Sequence, residues 1–258
     1  FLRVLHDSFR NHNRDSDLLF TRDDLGSLLP DPATEYIERK GNTIKLGQRI
    51  THLEIDRQKL YGMMIDEQMV DAEHVIIATA PRACHKLISD QADLQTLERQ
   101  LSKYSYQPIC TIYLQYPAEI STGYPMIGLL GGHAQWLFDR RIYGQHGLMA
   151  VVISSDGPHM EMDNGTLVEQ IKKELAMLYP DWPEPQDSMV IREKHATFHC
   201  SSEMNQHRPA NKTPVEGLWL AGDYTNTGYP ATLEGAVQSG LQCARQIIDE
   251  LKPARQTD

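Results

Sequence analysis

The stretch GLWLAGDYTNTGYPATLEGAVQSGLQCARQII, Gly217 to Ile248, decides the fold. Leu218, Trp219, Leu220 and Ala221 form a short apolar strand that Gly222-Asp223 stops, and a loop rich in Gly, Thr and Asn follows. Leu233, Ala236, Val237, Gly240, Ala244, Ile247, Ile248 and Leu251 then recur at the i, i+3, i+4 spacing of a buried helix face. A strand, a Gly-rich turn and a helix in that order offer backbone amides to an anion. Gly235, Ala236, Ser239 and Gly240 open the helix with small residues, and each Gly there costs about 1 kcal/mol of helix propensity, which predicts close approach to the helix backbone. Asp223 falls at the carboxyl end of a parallel strand, where open α/β sheets place ligands. The free amides at the helix start carry roughly half a positive charge, suited to an anion or an electron-rich ring edge. The competing reading is that the small residues only let the helix pack tightly on the sheet while Asp223 caps it.

Working outward, Val75-Ile76-Ile77-Ala78-Thr79-Ala80-Pro81 is a short apolar run stopped by proline, which predicts a central strand buried on both faces of a parallel sheet. Thr43 to Ile55 alternates as a strand with one register change, and Leu60 to Val70 alternates around an Asp66-Glu67 turn, so the two read as a β-meander. Asp31 as cap and Pro32 at the first helical position predict a connecting helix that ends at Gly41. A short helix is expected over Asp93 to Leu101. Ile109 to Tyr116, Trp136 to Phe138, Gly147 to Ser154 and Met189 to Phe198 read as strands, and Gly165 to Leu178 as a helix against their sheet.

The 258 residues include 40% hydrophobic and 23% charged side chains, the composition of an ordinary soluble globular protein. A formal net charge of −10 opposes phosphate binding and excludes nucleic acid as an expected partner. The apolar runs fall far short of the ~18 residues of a spanning helix. Cys84, Cys110, Cys200 and Cys243 are scattered, which supports neither a disulfide framework nor a zinc site and predicts a reducing, cytoplasmic setting. Phe1 to Arg10 has no signal-peptide pattern, and a chain that starts at Phe1 reads as part of something longer.

AGDYTNTGYPATLEGAVQSG resembles the C-terminal flavin-binding motif of the FAD-dependent amine oxidase and phytoene desaturase superfamily, and most of all its squalene-associated branch, the hydroxysqualene dehydroxylases. GNTIKLGQRITHLEID resembles that group's strand pair beside the FAD adenine, DAEHVIIATAPRACHKLI its strand and proline turn, and EKHATFHCSSEMNQHRP the approach to the C-terminal motif. The resemblance spans nearly the whole chain and is least diagnostic in the middle sheet. It implies that Gly222 and Asp223 meet the ribityl and pyrophosphate portion of FAD, that Thr232 and Leu233 lie at the flavin pyrimidine, and that Ile50 meets adenine through its backbone. A helix amino terminus at that edge would stabilise the anion formed on flavin reduction.

This superfamily opens with a strand, a GxGxxG turn and a helix, a unit of ~30 residues. No GxGxxG occurs here, and Gly128-Leu129-Leu130-Gly131-Gly132 has the wrong spacing, so the chain is expected to be a C-terminal fragment holding half the cofactor site. The fold expected is mixed α/β: a partial FAD-binding Rossmann-like domain from residues 1–90 and 205–258, and a mixed-sheet substrate domain from 91–204. The implied function is FAD-dependent oxidoreduction of an apolar isoprenoid, either hydride delivery to an allylic cation as hydroxysqualene loses its hydroxyl to become squalene, or a related desaturation. A flavin amine oxidase and an inactive binding module are the alternatives. So apolar a substrate implies peripheral contact with the inner membrane, although no amphipathic anchor helix is apparent.

No metal site is expected. His195 and His199 are four apart on a predicted strand, ~13 Å at ~3.3 Å per residue, too far to share an ion. No GxSxG elbow supports a serine hydrolase. Asp139-Arg140-Arg141 reads as a solvated turn, and no catalytic acid stands out among Asp139, Arg140 and His199. Tyr104, Tyr106, Tyr113, Tyr116, Trp136 and Phe138 either line an apolar slot or are plain core and sheet surface. Oligomeric state and electron donor are not legible.

Overall fold

In a computed structural model that describes residues 2–10 and 12–252, the helices are α1 (Leu2–Phe9), α2 (Leu25–Leu28), α3 (Pro30–Arg39), α4 (Pro81–Ile88), α5 (Gln95–Leu101), α6 (Asn164–Leu178), α7 (Ser202–His207) and α8 (Leu233–Leu251). The strands are β1 (Ile50–Asp56), β2 (Lys59–Ile65), β3 (Gln68–Asp71), β4 (Val75–Ile77), β5 (Tyr106–Gln115), β6 (Met126–Gly128), β7 (Trp136–Asp139), β8 (Leu148–Ser154), β9 (Asp187–Phe198) and β10 (Leu218–Leu220). The mixed α/β class expected from the sequence is the class observed. The chain divides into two compact units, one of Phe1–Asp17, Lys45–Ser105 and Phe198–Asp258, the other of Leu18–Ile44 and Tyr106–Thr197.

In the first unit β1, β2 and β3 form the antiparallel meander. Asp66 and Glu67 turn it with φ of 44° and 69°, as their position between alternating runs predicts. Strand β1 begins only at Ile50, because the chain before it bends at Gly47, whose φ is 71°. Two register shifts bend β1 where one is expected. The central-strand expectation for Val75 to Pro81 is corrected: β4 covers only Val75–Ile77, pairs in parallel with β10 alone among the described residues, and leaves Ile76 43% exposed. Pro81 lies four residues beyond the end of that strand and opens α4 instead, its fixed φ suiting the first helical position of a helix that packs on β1 and α5.

In the second unit the sheet order is β6-β7-β8-β5-β9. Period-two alternation sends Cys110, Ile112, Leu114, Leu137, Met149, Val151 and Ile153 to one face, where Leu167, Ile171 and Leu175 of α6 close the core. The register sets Trp136 beside Val152 and Thr111, and Phe138 beside Ala150 and Tyr113, on the opposite face. Pro30, not Pro32, takes the first position of α3, so the helix starts before the Asp31 cap expected from sequence. Asp139 is also corrected. It is 3% exposed rather than solvated, and its carboxylate accepts from Ser121 Oγ at 2.7 Å and from the amides of Thr122 and Arg141 at 3.1 and 3.0 Å.

Glu174 is the other buried carboxylate of this unit. It accepts from the amides of His133 and Ala134 at 3.0 and 2.9 Å and from the Gln170 amide at 3.1 Å, fastening the 131–134 loop to α6. Burial alone would push its pKa up, but the Ala134 and His133 amides outweigh that and hold it below the usual 4.5. A carboxyl whose folded value is depressed stabilises fully above its unfolded value and loses that contribution as pH falls through the folded one. Glu174→Gln is therefore expected to cost about 1.5–3 kcal/mol in urea unfolding at neutral pH. Its penalty should shrink as pH drops below 4.5, the usual value. A penalty independent of pH would contradict the charge-based account.

Candidate functional site

The candidate site is the loop from Gly222 to Thr232 between β10 and α8. Three buried side chains of β10, with Trp219 and Leu220 at 1% and 0% exposure, fix where the strand ends. Gly217 enters the strand at φ 82°, and a Cβ there would meet Glu73 O at 2.3 Å, so only glycine lets β10 lie against the segment before β4. Gly222 leaves the strand at φ 150°, and a Cβ there would meet the Tyr224 ring at 2.6 Å.

Beneath the turn lies a buried polar hub. Ser239 Oγ accepts from Gly222 N at 3.0 Å and from Asn211 Nδ2 at 2.9 Å, and shares a 2.6 Å hydrogen bond with Thr225 Oγ1. Asn211 Nδ2 also donates to Leu220 O at 2.8 Å. Ser239 is 0% exposed, so a residue that reads from sequence as merely small is the acceptor that pins the turn to the helix. Gly235 does meet the close-approach expectation, with a Cβ there 3.1 Å from Pro230 O, but Gly240 faces open space.

Arg208 clamps the rest of the loop. Its guanidinium donates to the carbonyls of Asp223 at 2.6 Å, Tyr224 at 3.3 Å and Tyr229 at 2.5 Å, to Thr227 Oγ1 at 3.0 Å and to Asn205 Oδ1 at 3.4 Å. The Tyr104 hydroxyl adds a 2.8 Å bond to Tyr224 O, and the Tyr104 ring meets those of Phe198 and Tyr224 edge-on. Burial pushes the half-buried Asp223 carboxyl up, and Arg208 pulls it partly back. Burial likewise pushes the Cys84 thiol up to about 11, so Cys84 is an inert neighbour of Tyr224.

Thr232 caps α8, its hydroxyl accepting from Gly235 N at 3.1 Å. The amides of Leu233 and Glu234 stand at the first positions of a 19-residue helix, where no intrahelical acceptor exists. The structure thus gathers Gly222, Asp223, Thr232 and Leu233 around one loop. Ile50 lies on the meander sheet opposite Ile65. Free amides at a helix start as donors, a carboxyl as acceptor and a glycine turn with no room for a side chain fit a dinucleotide carrying both anionic and hydroxyl groups.

The α8 face expected to be buried is corrected. Gly235, Ser239 and Cys243 face inward, whereas Leu233, Val237, Ile248 and Leu251 are 72%, 41%, 55% and 61% exposed, because a two-stranded parallel sheet covers only a narrow strip of a 19-residue helix. The six aromatics also divide. Tyr104 and Tyr116 are core, Tyr106 meets His195 edge-on, and only Tyr113, Trp136 and Phe138 share the sheet face opposite α6. Arg208 and Asn211 are the site residues that sequence reading missed. Arg208 follows α7 directly and lies inside the EKHATFHCSSEMNQHRP stretch, but nothing in that stretch singles it out, and Asn211 is marked only by its polarity.

Among the described residues no helix is long and apolar enough to cross a membrane. The chain is 27% identical over 235 residues to a hydroxysqualene dehydroxylase of Sinorhizobium fredii, covering 90% of this chain and 53% of that protein. It is 24% identical to a chloroplastic/chromoplastic 15-cis-phytoene desaturase of Solanum lycopersicum, covering 85% of this chain and 40% of that protein. A crystal structure of an oxidoreductase from Methanosarcina mazei has the same fold, with a TM-score of 0.66 at 17% identity over 83% of this chain and 53% of that one. The chain spans about half the length of the curated relatives it matches. Residues 5–248 match the family described as flavin containing amine oxidoreductase, and with nearly the whole chain inside that match, the protein belongs to this family.

Proposed function

We propose that the whole protein is an FAD-dependent oxidoreductase acting on a squalene-type isoprenoid, removing the hydroxyl of hydroxysqualene or carrying out a related desaturation. The observation that carries this reading is the β10–loop–α8 turn, held by Arg208 through the Asp223 carbonyl and by Ser239 through the Gly222 amide, with the free amides of Leu233 and Glu234 at the start of α8. Gly222 and Asp223 would hold the ribityl and pyrophosphate portion, Thr232 and Leu233 the flavin pyrimidine, and Ile50 the adenine. FAD held there supplies two-electron hydride chemistry.

The protein's own residues do the rest. The helix start at Leu233 favours negative charge on the ring edge it faces. The loop clamp fixes that geometry before the cofactor arrives, which lowers the ordering cost of binding. The names borne by the relatives support an isoprenoid substrate. An apolar substrate also suits the Tyr113, Trp136 and Phe138 face of the five-stranded sheet, and we assign substrate to that unit and flavin to the other.

The test is a visible absorption spectrum of this chain purified in parallel with the whole protein, followed by turnover of hydroxysqualene. Flavin absorbance and squalene formation by the whole protein are the expected results. A colourless whole protein would refute the oxidoreductase reading, and a coloured one that oxidises an amine but ignores isoprenoids would refute the substrate.

A further inference from the structure

Arg208 is 8% exposed, and its five hydrogen bonds run to three carbonyls, one hydroxyl and one amide oxygen. Every acceptor is neutral. The nearest carboxyl, Asp223, acts on it only at a distance, with Tyr104 and Cys200 as the other electrostatic neighbours. The aromatic ring of Phe198 lies 5.6 Å from the guanidinium carbon. A guanidinium does not give up its proton in a protein, and a buried charge is costly unless paired, so a full positive charge is held under this loop without a carboxylate bonded to it. Burial disfavours that charge and lowers the Arg208 pKa from its ordinary value.

Resting on the proposed flavin reading, we propose that Arg208 is a positioning residue that holds the 223–229 loop in its cofactor-ready shape and whose unpaired charge makes the site prefer the cofactor in its reduced, more anionic form. The two parts separate chemically. The fork of five donors sets the loop geometry, and lysine cannot reproduce it. The charge sets the preference for the reduced form, and lysine keeps it where its buried ammonium stays protonated.

The experiment compares the whole protein with Arg208→Lys and Arg208→Met in three readouts: amide hydrogen exchange over 223–229, FAD affinity, and the flavin reduction potential. Both variants are expected to exchange the loop amides at least tenfold faster and to bind FAD roughly tenfold more weakly. At a pH low enough to keep the buried lysine protonated, Arg208→Lys should keep the wild-type potential, whereas Arg208→Met should lower the affinity ratio of reduced to oxidised flavin about tenfold, a fall of roughly 30 mV for a two-electron couple. Wild-type exchange and affinity in both variants would overturn the positioning role. An unchanged potential in Arg208→Met would overturn the charge role. A wild-type protein that takes up no flavin would refute the underlying reading instead, and is told apart because the wild type itself is then colourless.

Discussion

Ser239→Val is expected to lower the unfolding free energy by roughly 1–3 kcal/mol and to weaken flavin uptake by the whole protein at least tenfold, because it leaves the buried Gly222 amide without an acceptor and Thr225 Oγ1 without a donor. Gly222 N, Asn211 Nδ2 and Thr225 Oγ1 all converge on Ser239 Oγ within 3.0 Å. The stranded Gly222 amide alone costs about 1–3 kcal/mol, whereas Asn211 Nδ2 keeps Leu220 O at 2.8 Å and Thr225 Oγ1 keeps donating to Gly222 O at 3.0 Å. Valine adds a methyl where Ser239 is already fully enclosed, so water cannot take the place of the hydroxyl. Urea unfolding of the chain reads the stability, and a loss below about 1 kcal/mol would mean the hub is not what holds the Gly222 turn.

The sequence announces the strand–loop–helix core of the site because each part obeys a short-range rule. Leu218 to Leu220 are uniformly apolar, Gly222 ends the strand, and Thr232 precedes a periodic run as a cap should. Arg208 is hidden because all its partners but Asn205 lie 15 to 21 residues away along the chain, beyond any local periodicity. Ser239 is hidden for a different reason. It sits four residues after Gly235 and four before Cys243 on the inward face, a spacing that flags burial but gives no hint that a hydroxyl is being used as an acceptor. The exposed stripe of α8 misleads in the opposite sense, since periodicity marks which side of a helix is apolar and says nothing about how much surface lies there to cover it. Likewise the Arg57-Gln58 turn carries φ of 49° and 61° without the Asn-Gly or Asp-Gly signature. Gln58 N reaches Asp93 at 3.2 Å and its carbonyl accepts from Glu216 N at 2.8 Å, so tertiary bonds hold a conformation the local residues do not favour.

Gly222→Ala is expected to cost about 3–4 kcal/mol, with roughly 1–3 from backbone strain and a similar amount from overpacking. The new methyl would lie 2.6 and 2.8 Å from two carbons of the Tyr224 ring, at a backbone φ of 150°. Tyr224 has nowhere to retreat. It is 0% exposed, and its carbonyl is held by Tyr104 at 2.8 Å and Arg208 at 3.3 Å. The two sources of cost separate in a double-mutant cycle, because Tyr224→Leu removes the ring while leaving the φ requirement in place. If the clash dominates, Gly222→Ala should cost about 1–2 kcal/mol less on the Tyr224→Leu background than on the wild type. Strict additivity would assign the cost to backbone conformation alone, and the glycine would then be needed for the direction in which the chain leaves β10 rather than for the room its missing side chain gives the buried tyrosine.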